Sequence, residues 1–351
     1  MRLGLVVDYS DDFVAAVDLV REAERLGVDL VSVAEAYSFD AVSRLGYLAA
    51  VTERVALASA ILPVFSRTPT MIGMTAAGLD DVSGGRFELG IGASGPQVVE
   101  GFHGVPFVAP LTRVRETVDV CRMLWRREPV QIDGRRVRIP LPAGEGTGLG
   151  KPLKLVNQPR RPRIPIAIAA LTPRSVAQAA DIAEGWIPLF FHPGRAARAW
   201  GDALAAGRAA RDPELGELDV QVTMPLLVGE GGAVDEALAA YRDRVALYVG
   251  GMGARGANFY ADLVTRYGFG DDAAVVQDRY LAGDRAGAAQ AVPEDLLRGT
   301  SLIGTEASVR EQLAALAGAG VTTLTVQPLG PTPVRLEQIE AVRAVLAELT
   351  A

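Results

Sequence analysis

Short, continuously apolar runs alternate along the chain with longer segments in which apolar residues recur at helical spacing. The first run, residues 3–7, predicts a buried strand, and the next segment places Phe13, Val17 and Val20 on one face of a helix. This strand–helix unit recurs about every 25 to 30 residues through the first part of the chain, as in a parallel sheet. The eight predicted strands are residues 3–7, 30–34, 55–61, 87–91, 164–169, 185–189, 220–228 and 324–326. Eight such units with no second composition class predict an α/β fold, a single (β/α)8 TIM barrel.

Two segments interrupt this rhythm, and we interpret both as insertions into one domain that spans residues 1–351. The first, residues 93–163 after strand four, contains a predicted hairpin around Asp133-Gly134 and a stretch rich in proline and glycine. The second, residues 229–304 after strand seven, is predicted to be mostly helical. We expect these two segments to shape the pocket of the barrel.

Helix ends are marked by particular residues. Asp11 or Asp12 can cap the first helix, and Thr172 is a natural N-cap for the helix after strand five. Ser83 closes the third helix, and the two glycines that follow it supply the left-handed backbone that ends a helix.

Composition narrows the class of protein. The hydrophobic content of 49% and the charged content of 22% indicate an ordinary globular protein with an ample core. The net charge of −7 is the opposite of what a nucleic-acid-binding protein usually carries, so we expect no nucleic-acid partner. We also expect no membrane segment, and the first apolar run, which ends at Asp8, is too short for a signal peptide. The single cysteine, Cys121, is predicted to be a buried, inert thiol, which fits a cytoplasmic location.

Several kinds of catalytic site find no support in the sequence. The two histidines, His103 and His192, are far apart and belong to no metal-binding pattern, so zinc is not expected. A magnesium site remains open, because Asp8 and Glu35 both fall at strand ends. The chain has neither a Gly-x-Ser-x-Gly nucleophile motif nor a phosphate-binding Gly-x-x-x-x-Gly-Lys loop.

Small residues dominate the predicted carboxyl ends of strands three, four and five. Ser59 and Ala60 lie in strand three, and residues 92–95 form a glycine-rich loop after strand four. Residues 169–172 follow strand five at a helix N-terminus, where free amide groups suit a phosphate. A face that is rich in small residues and poor in reactive side chains suits a large planar cofactor that brings its own reactivity.

The chain resembles the bacterial-luciferase-like superfamily and, within it, the coenzyme F420 (deazaflavin)-dependent oxidoreductases. The resemblance covers nearly the whole chain. It rests on Ala-Glu-Arg-Leu-Gly-Val-Asp at 23–29, Ala-Glu-Ala-Tyr at 34–37, Arg-Thr-Pro at 67–69, Ser-Gly-Gly-Arg-Phe-Glu-Leu-Gly-Ile-Gly at 83–92, Ile-Ala-Ile-Ala-Ala at 166–170, and the segment 302–321. The segment 248–260, Tyr-Val-Gly-Gly-Met-Gly-Ala-Arg-Gly-Ala-Asn-Phe-Tyr, resembles a signature of an actinobacterial subgroup.

The resemblance implies a homodimeric oxidoreductase that acts on a small molecule with F420 as cofactor. A non-proline cis peptide would lie behind the ring at Ser59-Ala60, with Ala60-Ile61 as the alternative register. The residues implied in cofactor binding are Asp8, Ser59, Ala60, Gly92, Ala93 and Ser94, with Ala170, Leu171 and Thr172 at the phosphate. The coenzyme also carries an oligoglutamate tail, but a solvated face is the preferred interpretation of the cluster of Arg160, Arg161 and Arg163.

One departure from the family pattern concerns proton transfer. Members with a known acid–base histidine carry it directly after the acidic residue that corresponds to Glu35, and this chain has Ala36 there. The catalytic candidates are therefore Glu35, Tyr37 and His103, with Tyr248 as a further possible proton donor.

Alternatives to an F420 enzyme stay open. An FMN-dependent monooxygenase of the same superfamily would use a similar phosphate site. A metal-dependent barrel lyase or isomerase would use Asp8 and Glu35, and a non-catalytic barrel would explain the absence of histidine at Ala36. The sequence does not identify the substrate.

Overall fold

The computed structural model describes residues 1–9 and 12–350, with only the backbone of residue 350. Eight strands form the barrel: β1 (Arg2–Val7), β2 (Leu30–Val33), β3 (Ala56–Ser59), β4 (Phe87–Gly92), β5 (Ile166–Ala169), β6 (Gly185–Ile187), β7 (Asp219–Val228) and β8 (Thr323–Pro328). Each is parallel to the next, and the pairing of β8 with β1 closes the ring. The predicted (β/α)8 barrel is therefore confirmed.

Fourteen α-helices accompany the strands in the described part of the chain. They are α1 (Phe13–Arg25), α2 (Ala41–Val51), α3 (Pro69–Val82), α4 (Pro96–Gly101), α5 (Pro110–Trp125), α6 (Pro173–Ile182), α7 (Ala196–Ala210), α8 (Gly232–Ala246), α9 (Phe259–Arg266), α10 (Gly270–Leu281), α11 (Arg285–Gln290), α12 (Glu294–Gly299), α13 (Glu306–Gly318) and α14 (Thr332–Thr350). A π-helix, Leu247–Gly251, extends α8, and short 3₁₀ turns cover Ala143–Glu145 and Pro213–Leu215. None of the helices described is long and apolar enough to cross a membrane.

The predicted helix ends agree with the structure where they can be compared. Asp12 caps α1 by accepting a hydrogen bond from the Val14 amide at 3.0 Å, whereas Asp11 lies outside the described residues. Ser83 is the C-cap of α3, and the next two residues, Gly84 and Gly85, have φ angles of 73° and 90°. These positive φ values explain why glycine stands there.

An ion network across the amino-terminal end of the barrel shows which residues of β4 face inward. Arg2 of β1 contacts Glu88 of β4 at 2.7 Å and Asp219 of β7 at 3.5 Å, although these strands are not neighbours. Side chains alternate along a strand, so Gly90 and Gly92 also face the interior. The barrel is thus narrow and charged at its base and lined by glycine near its carboxyl end.

One feature of the segments after β4 and β7 differs from the sequence prediction, and one agrees with it. A short strand, Leu302–Gly304, pairs in parallel with the end of β7 (Leu226↔Leu302 to Val228↔Gly304), in a region predicted to be mostly helical. Its three residues are too few to show a periodicity of their own. The predicted hairpin is confirmed, with Ile132–Asp133 paired antiparallel to Arg138–Ile139.

The arginine cluster at 160–163 was predicted to be a solvated face, and for two of its members that prediction is wrong. Arg161 binds the buried carboxylate of Asp80 and the carbonyl of Phe87, and Arg163 binds Glu184 at 2.7 Å. Phe87 begins β4, so these contacts anchor the segment before β5 to the amino-terminal end of the barrel. That end is opposite to the one where a barrel holds its ligands.

Cys121 is fully buried in α5, as predicted. Burial raises the pKa of its thiol to about 12. The thiol is therefore protonated at neutral pH and a poor nucleophile.

Candidate functional site

The end of β3 carries a break in the strand at the mouth of the barrel. The peptide bond between Ala60 and Ile61 is cis, and the chain then continues as Leu62–Pro63, which pairs with the end of β4. The preferred prediction, a cis bond at Ser59-Ala60, is therefore wrong by one residue. The alternative prediction, Ala60-Ile61, is confirmed.

Ser59 is bound within the sheet. Its hydroxyl donates to the carbonyl of Gly90 at 2.8 Å and accepts from the Gly90 amide at 3.0 Å, and the residue is 1% exposed. A Cβ at Gly90 would lie 1.8 Å from the Ser59 carbonyl oxygen, so this approach requires glycine. Ser59 holds β3 to β4, and its hydroxyl hydrogen is used in that contact.

Small residues line this side of the mouth, as expected. A Cβ at Gly92 would lie 3.1 Å from the Cβ of Ala169 and 3.1 Å from Cδ1 of Ile61, so Gly92 packs closely against its own neighbours. Ala93 and Ser94 follow in a half-buried loop, and Ser94 has a φ of 61°, which is uncommon for a residue other than glycine. We call the group of Ala60, Gly90, Gly92 and Ala169 the small-residue wall.

The N-terminus of α6 adjoins this wall after β5. Thr172 is the N-cap and accepts from the Ser175 amide at 3.3 Å, with Pro173 at the first helical position. The carbonyl of Ala170 accepts from Trp186, so Ala170 contributes packing at this point. Pro173 has no amide hydrogen and the Ser175 amide is bound to Thr172, so the main-chain amide of Arg174 is the first-turn donor that is left for an anion in the described structure.

Arg266, which sequence reasoning missed, lies beside this helix end. One guanidinium nitrogen donates to the carbonyl of Leu171 at 2.8 Å, and the buried Nε has no hydrogen-bond partner in the described part of the chain. Burial lowers the pKa of Arg266, but a guanidinium remains cationic at neutral pH. Leu171 is 95 positions away in sequence. Among 35 basic residues, no sequence signal separates Arg266 from surface charges.

The predicted acid Glu35 is engaged in an ion pair. Its two oxygens contact Arg67 at 2.5 and 2.9 Å, and one of them also accepts from the Ala41 amide at 2.8 Å. The side chains of Glu35 and Arg67 are 7% and 17% exposed. This arrangement favours a structural role for Glu35 over that of a free acid.

Tyr37 and His103 lie near each other through Phe102. The rings of Tyr37 and Phe102 are 6.2 Å apart, and those of Phe102 and His103 are 5.2 Å apart. Tyr37 is 60% exposed, whereas the buried Nε2 of His103 has no hydrogen-bond partner among the described residues.

The other side of the mouth, formed by β8 and β1, carries phenols and a guanidinium. Arg244 donates to Gln327 of β8 at 3.0 Å and lies close to Tyr248, which lies close in turn to Tyr9 after β1. Partial burial, together with the nearby Tyr248 and the buried Asp8, raises the pKa of Tyr9 to about 12. We call Tyr9, Arg244, Tyr248 and Gln327 the phenol cluster.

The segment 248–260 places this cluster. The amide of Asn258, which is 1% exposed, donates to the carbonyls of Tyr248 at 3.0 Å and Val249 at 2.8 Å. The ring of Tyr248 contacts Tyr260 edge-on at 4.8 Å and Phe190 at 5.3 Å. The segment 248–260 therefore has a mainly structural role, which is to position the Tyr248 side chain at the mouth of the barrel.

The residues of the site fit a flat, phosphate-bearing cofactor. The small-residue wall brings only short side chains of its own to one side of the mouth, and the N-terminus of α6 with the unpartnered Nε of Arg266 suits a phosphate. A metal finds less support, since no group of three or more candidate ligands occurs within residues 1–9 and 12–350. Both oxygens of Glu35, which the metal alternative needed, are taken by Arg67.

Comparison with known proteins identifies the family. "Putative coenzyme F420-dependent oxidoreductase Rv3520c" of Mycobacterium tuberculosis is 39% identical over 93% of this chain and 94% of its own length. The 5,10-methylenetetrahydromethanopterin reductase of Archaeoglobus fulgidus is 28% identical over 89% of each chain. The structure of the coenzyme F420-dependent tetrahydromethanopterin reductase from Methanopyrus kandleri has the same fold, with a TM-score of 0.78 at 23% identity over 97% of this chain and 96% of that one. The model of the luciferase-like monooxygenase family matches residues 3–323, and the chain belongs to that family.

Proposed function

We propose that this chain is a coenzyme F420-dependent oxidoreductase that transfers a hydride between the deazaflavin C5 and a small organic substrate. The observation that carries the proposal is the small-residue wall next to an anion site made by α6 and Arg266. Similarity over nearly the whole chain to a Mycobacterium tuberculosis protein whose name specifies F420 supports it.

In this proposal the wall holds the ring, and the loop of Gly92, Ala93 and Ser94 lies along its sugar-like tail. The N-terminus of α6, following Leu171 and Thr172, holds the phosphate together with Arg266. The coenzyme supplies the hydride chemistry at C5. The protein binds the ring, excludes water on the wall side and orients the substrate against the free face.

Tyr248 is our proposed proton donor in place of the missing histidine at Ala36. Its phenol lies at the mouth beside Arg244 and is held there by ring contacts with Tyr260 and Phe190. Glu35 forms an ion pair with Arg67 and is better suited to a structural role at the mouth of the barrel. Tyr37 and His103 are the second choice, because the exposure of Tyr37 leaves its proton in contact with solvent.

Titration of the purified protein with F420 and, separately, with FMN tests the cofactor. We expect saturable quenching of F420 fluorescence and a weaker response to FMN. Tight FMN binding with no response to F420 would contradict the proposal. Reduced F420 with a panel of aldehydes, ketones and enones then identifies the substrate class by its reoxidation at 420 nm.

An FMN-dependent monooxygenase is the second candidate, because the chain belongs to the luciferase-like monooxygenase family. It would use the same wall and the same phosphate site. Oxygen consumption with reduced FMN, absent with reduced F420, would support it.

We also propose a cytoplasmic homodimer. Met71, Met74 and Val82 are each about half exposed on α3, and Tyr47 of α2 is 54% exposed. An apolar face of this kind is typical of a protein–protein contact. Light scattering coupled to size-exclusion chromatography would show a monomer of 37.0 kDa if the proposal is wrong.

A further inference from the structure

A cleft of about 630 Å³ opens beside the first turn of α6, between α5, α6 and the tip of the hairpin at 132–139. Three arginines line it, one from each element: Arg115 of α5, Arg135 of the hairpin tip and Arg174 of α6. Arg115 is paired with Asp181 at 2.5 Å. Arg135 and Arg174 are exposed, and neither makes an ion pair within the described residues.

The hairpin tip is held in place by a buried carboxylate. Glu116 of α5 is 8% exposed and accepts from the amides of Arg135, Arg136 and Val137 at 2.7, 2.9 and 2.7 Å. A Cβ at Gly134 would lie 2.5 Å from the Glu116 carboxyl carbon, so the tip can approach α5 only with glycine there. These contacts fix the position of the Arg135 backbone relative to α5 and hence to the cleft.

Two arginines of the cleft remain available to an anionic ligand. Glu116 is one of two lining carboxylates, and its oxygens are occupied by three amides. The other is the exposed Asp133. Arg115 is paired with Asp181, so Arg135 and Arg174 offer the guanidinium groups whose planar donors match carboxylate oxygens in geometry.

We infer that this cleft binds the oligoglutamate tail of coenzyme F420, through pairing of Arg135 and Arg174 with the tail carboxylates. The inference rests on the proposed function. A γ-linked glutamate chain carries a free carboxylate on every residue, all ionised at neutral pH. Arg174 stands in the first turn of α6, so the cleft begins where the proposed phosphate site ends. The arginines at 160–163, by contrast, lie at the opposite end of the barrel.

The test compares two forms of the coenzyme that share ring and phosphate: one with several glutamates and one with none. Binding is followed by fluorescence quenching, without turnover. We expect the tailed form to bind about three- to tenfold more tightly to the unchanged protein, the range that two exposed charge pairs provide. That preference should shrink as salt is raised.

Arg135→Gln combined with Arg174→Gln should abolish the preference while keeping the affinity for the tail-free form within about twofold of that of the parent. Arg136→Gln is the matched control, because Arg136 shares the hairpin tip and its side chain does not line the cleft. A circular-dichroism melt of each variant checks folding.

Equal affinity of the parent for both forms would overturn the tail site and leave the F420 function standing. A loss in Arg136→Gln as large as that in the double variant would also overturn it, since general surface charge would then explain the preference. Binding of neither form would overturn the F420 function and the tail site together.

Discussion

Glu35 and Arg67 form a two-point ion pair at the mouth of the barrel, with oxygen–nitrogen distances of 2.5 and 2.9 Å. Both side chains are largely buried, and Glu35 also caps the start of α2 through the Ala41 amide. The pair therefore joins the loop after β2 and the start of α2 to the residue that precedes the N-cap of α3, and its removal should affect stability more than chemistry.

Glu35→Gln should lower the free energy of unfolding by about 2–4 kcal/mol, because Arg67 loses its partner in a poorly solvated place. Urea unfolding measures it, and the exposed Glu236→Gln is the control. The double variant Glu35→Gln/Arg67→Gln should be less destabilised than the sum of the single variants. Additive effects would show that the two residues do not interact.

Tyr248→Phe should leave F420 affinity within about twofold of that of the parent and slow turnover by about 10²- to 10⁴-fold, the usual contribution of a proton donor. Stopped-flow reoxidation of reduced F420 by a substrate from the panel measures the rate. Tyr47→Phe, on the outer surface, should turn over normally. Undiminished turnover in Tyr248→Phe would return the role to Tyr37 or His103.

Three Gly→Ala substitutions should differ in stability in a definite order. Gly90→Ala should be the most destabilising, since its Cβ would overlap the Ser59 carbonyl at 1.8 Å. Gly92→Ala meets side-chain atoms at 3.1 Å and should cost about 1–3 kcal/mol by overpacking. Gly46→Ala in α2, with nothing within 4 Å, should stabilise by about 0.5–1 kcal/mol. Thermal melts rank the three.

The same geometry limits what Gly92→Val can test. A valine at this position would block the proposed cofactor site. Contacts with Ala169 and Ile61 mean that added bulk at residue 92 also disturbs packing at the ends of β3 and β5. Gly92 is therefore a poor single test of cofactor binding.

Arg266→Gln should weaken binding of F420 by about tenfold and leave the affinity for its phosphate-free precursor unchanged, because the guanidinium contributes one charge-assisted contact to the phosphate. Fluorescence titration of both ligands measures it. Arg208→Gln, exposed on α7, is the control. Equal weakening for both ligands would indicate a structural role for Arg266.

Acid should destabilise the protein partly through Glu24. Burial opposes ionisation of this carboxylate, but the amides of Val55, Arg54 and Glu53 outweigh it and lower its pKa. A lowered folded-state pKa gives stability that is present above the unfolded pKa of about 4.3 and lost as pH falls through the folded value. Glu24→Gln should therefore be less stable than the parent near pH 7, and the gap should narrow below about pH 4. Urea midpoints between pH 7 and pH 3 measure it, and a constant gap would contradict the assignment.

The sequence predicts the barrel well because each strand is short, apolar and followed by a helix with a recognisable start. Thr172 before Pro173 is such a start, and the structure confirms it. The strand Leu302–Gly304 was not predicted, because three residues are too few to show a hydrophobic periodicity. These residues form a strand through their pairing with the end of β7.

The candidate site was harder to predict because its parts meet through tertiary contacts. Arg244 meets Gln327 across 83 positions, and Arg266 meets Leu171 across 95. Arg161 looked like surface charge because its buried partner, Asp80, is 81 positions earlier. The strand ends and helix starts in the sequence pointed to the glycine loop and the helix N-terminus, but not to these cations.

The segment between β7 and the strand Leu302–Gly304 begins and ends at adjacent points, where the Gly229 amide donates to the Gly304 carbonyl at 2.9 Å. A segment whose two ends are hydrogen-bonded to each other can be replaced as a cassette without opening the barrel. Arg244, Tyr248 and Arg266 all lie within it. One recombination event between relatives would thus exchange the proposed proton donor, its guanidinium and the phosphate contact together, while the wall that holds the ring stayed as it was.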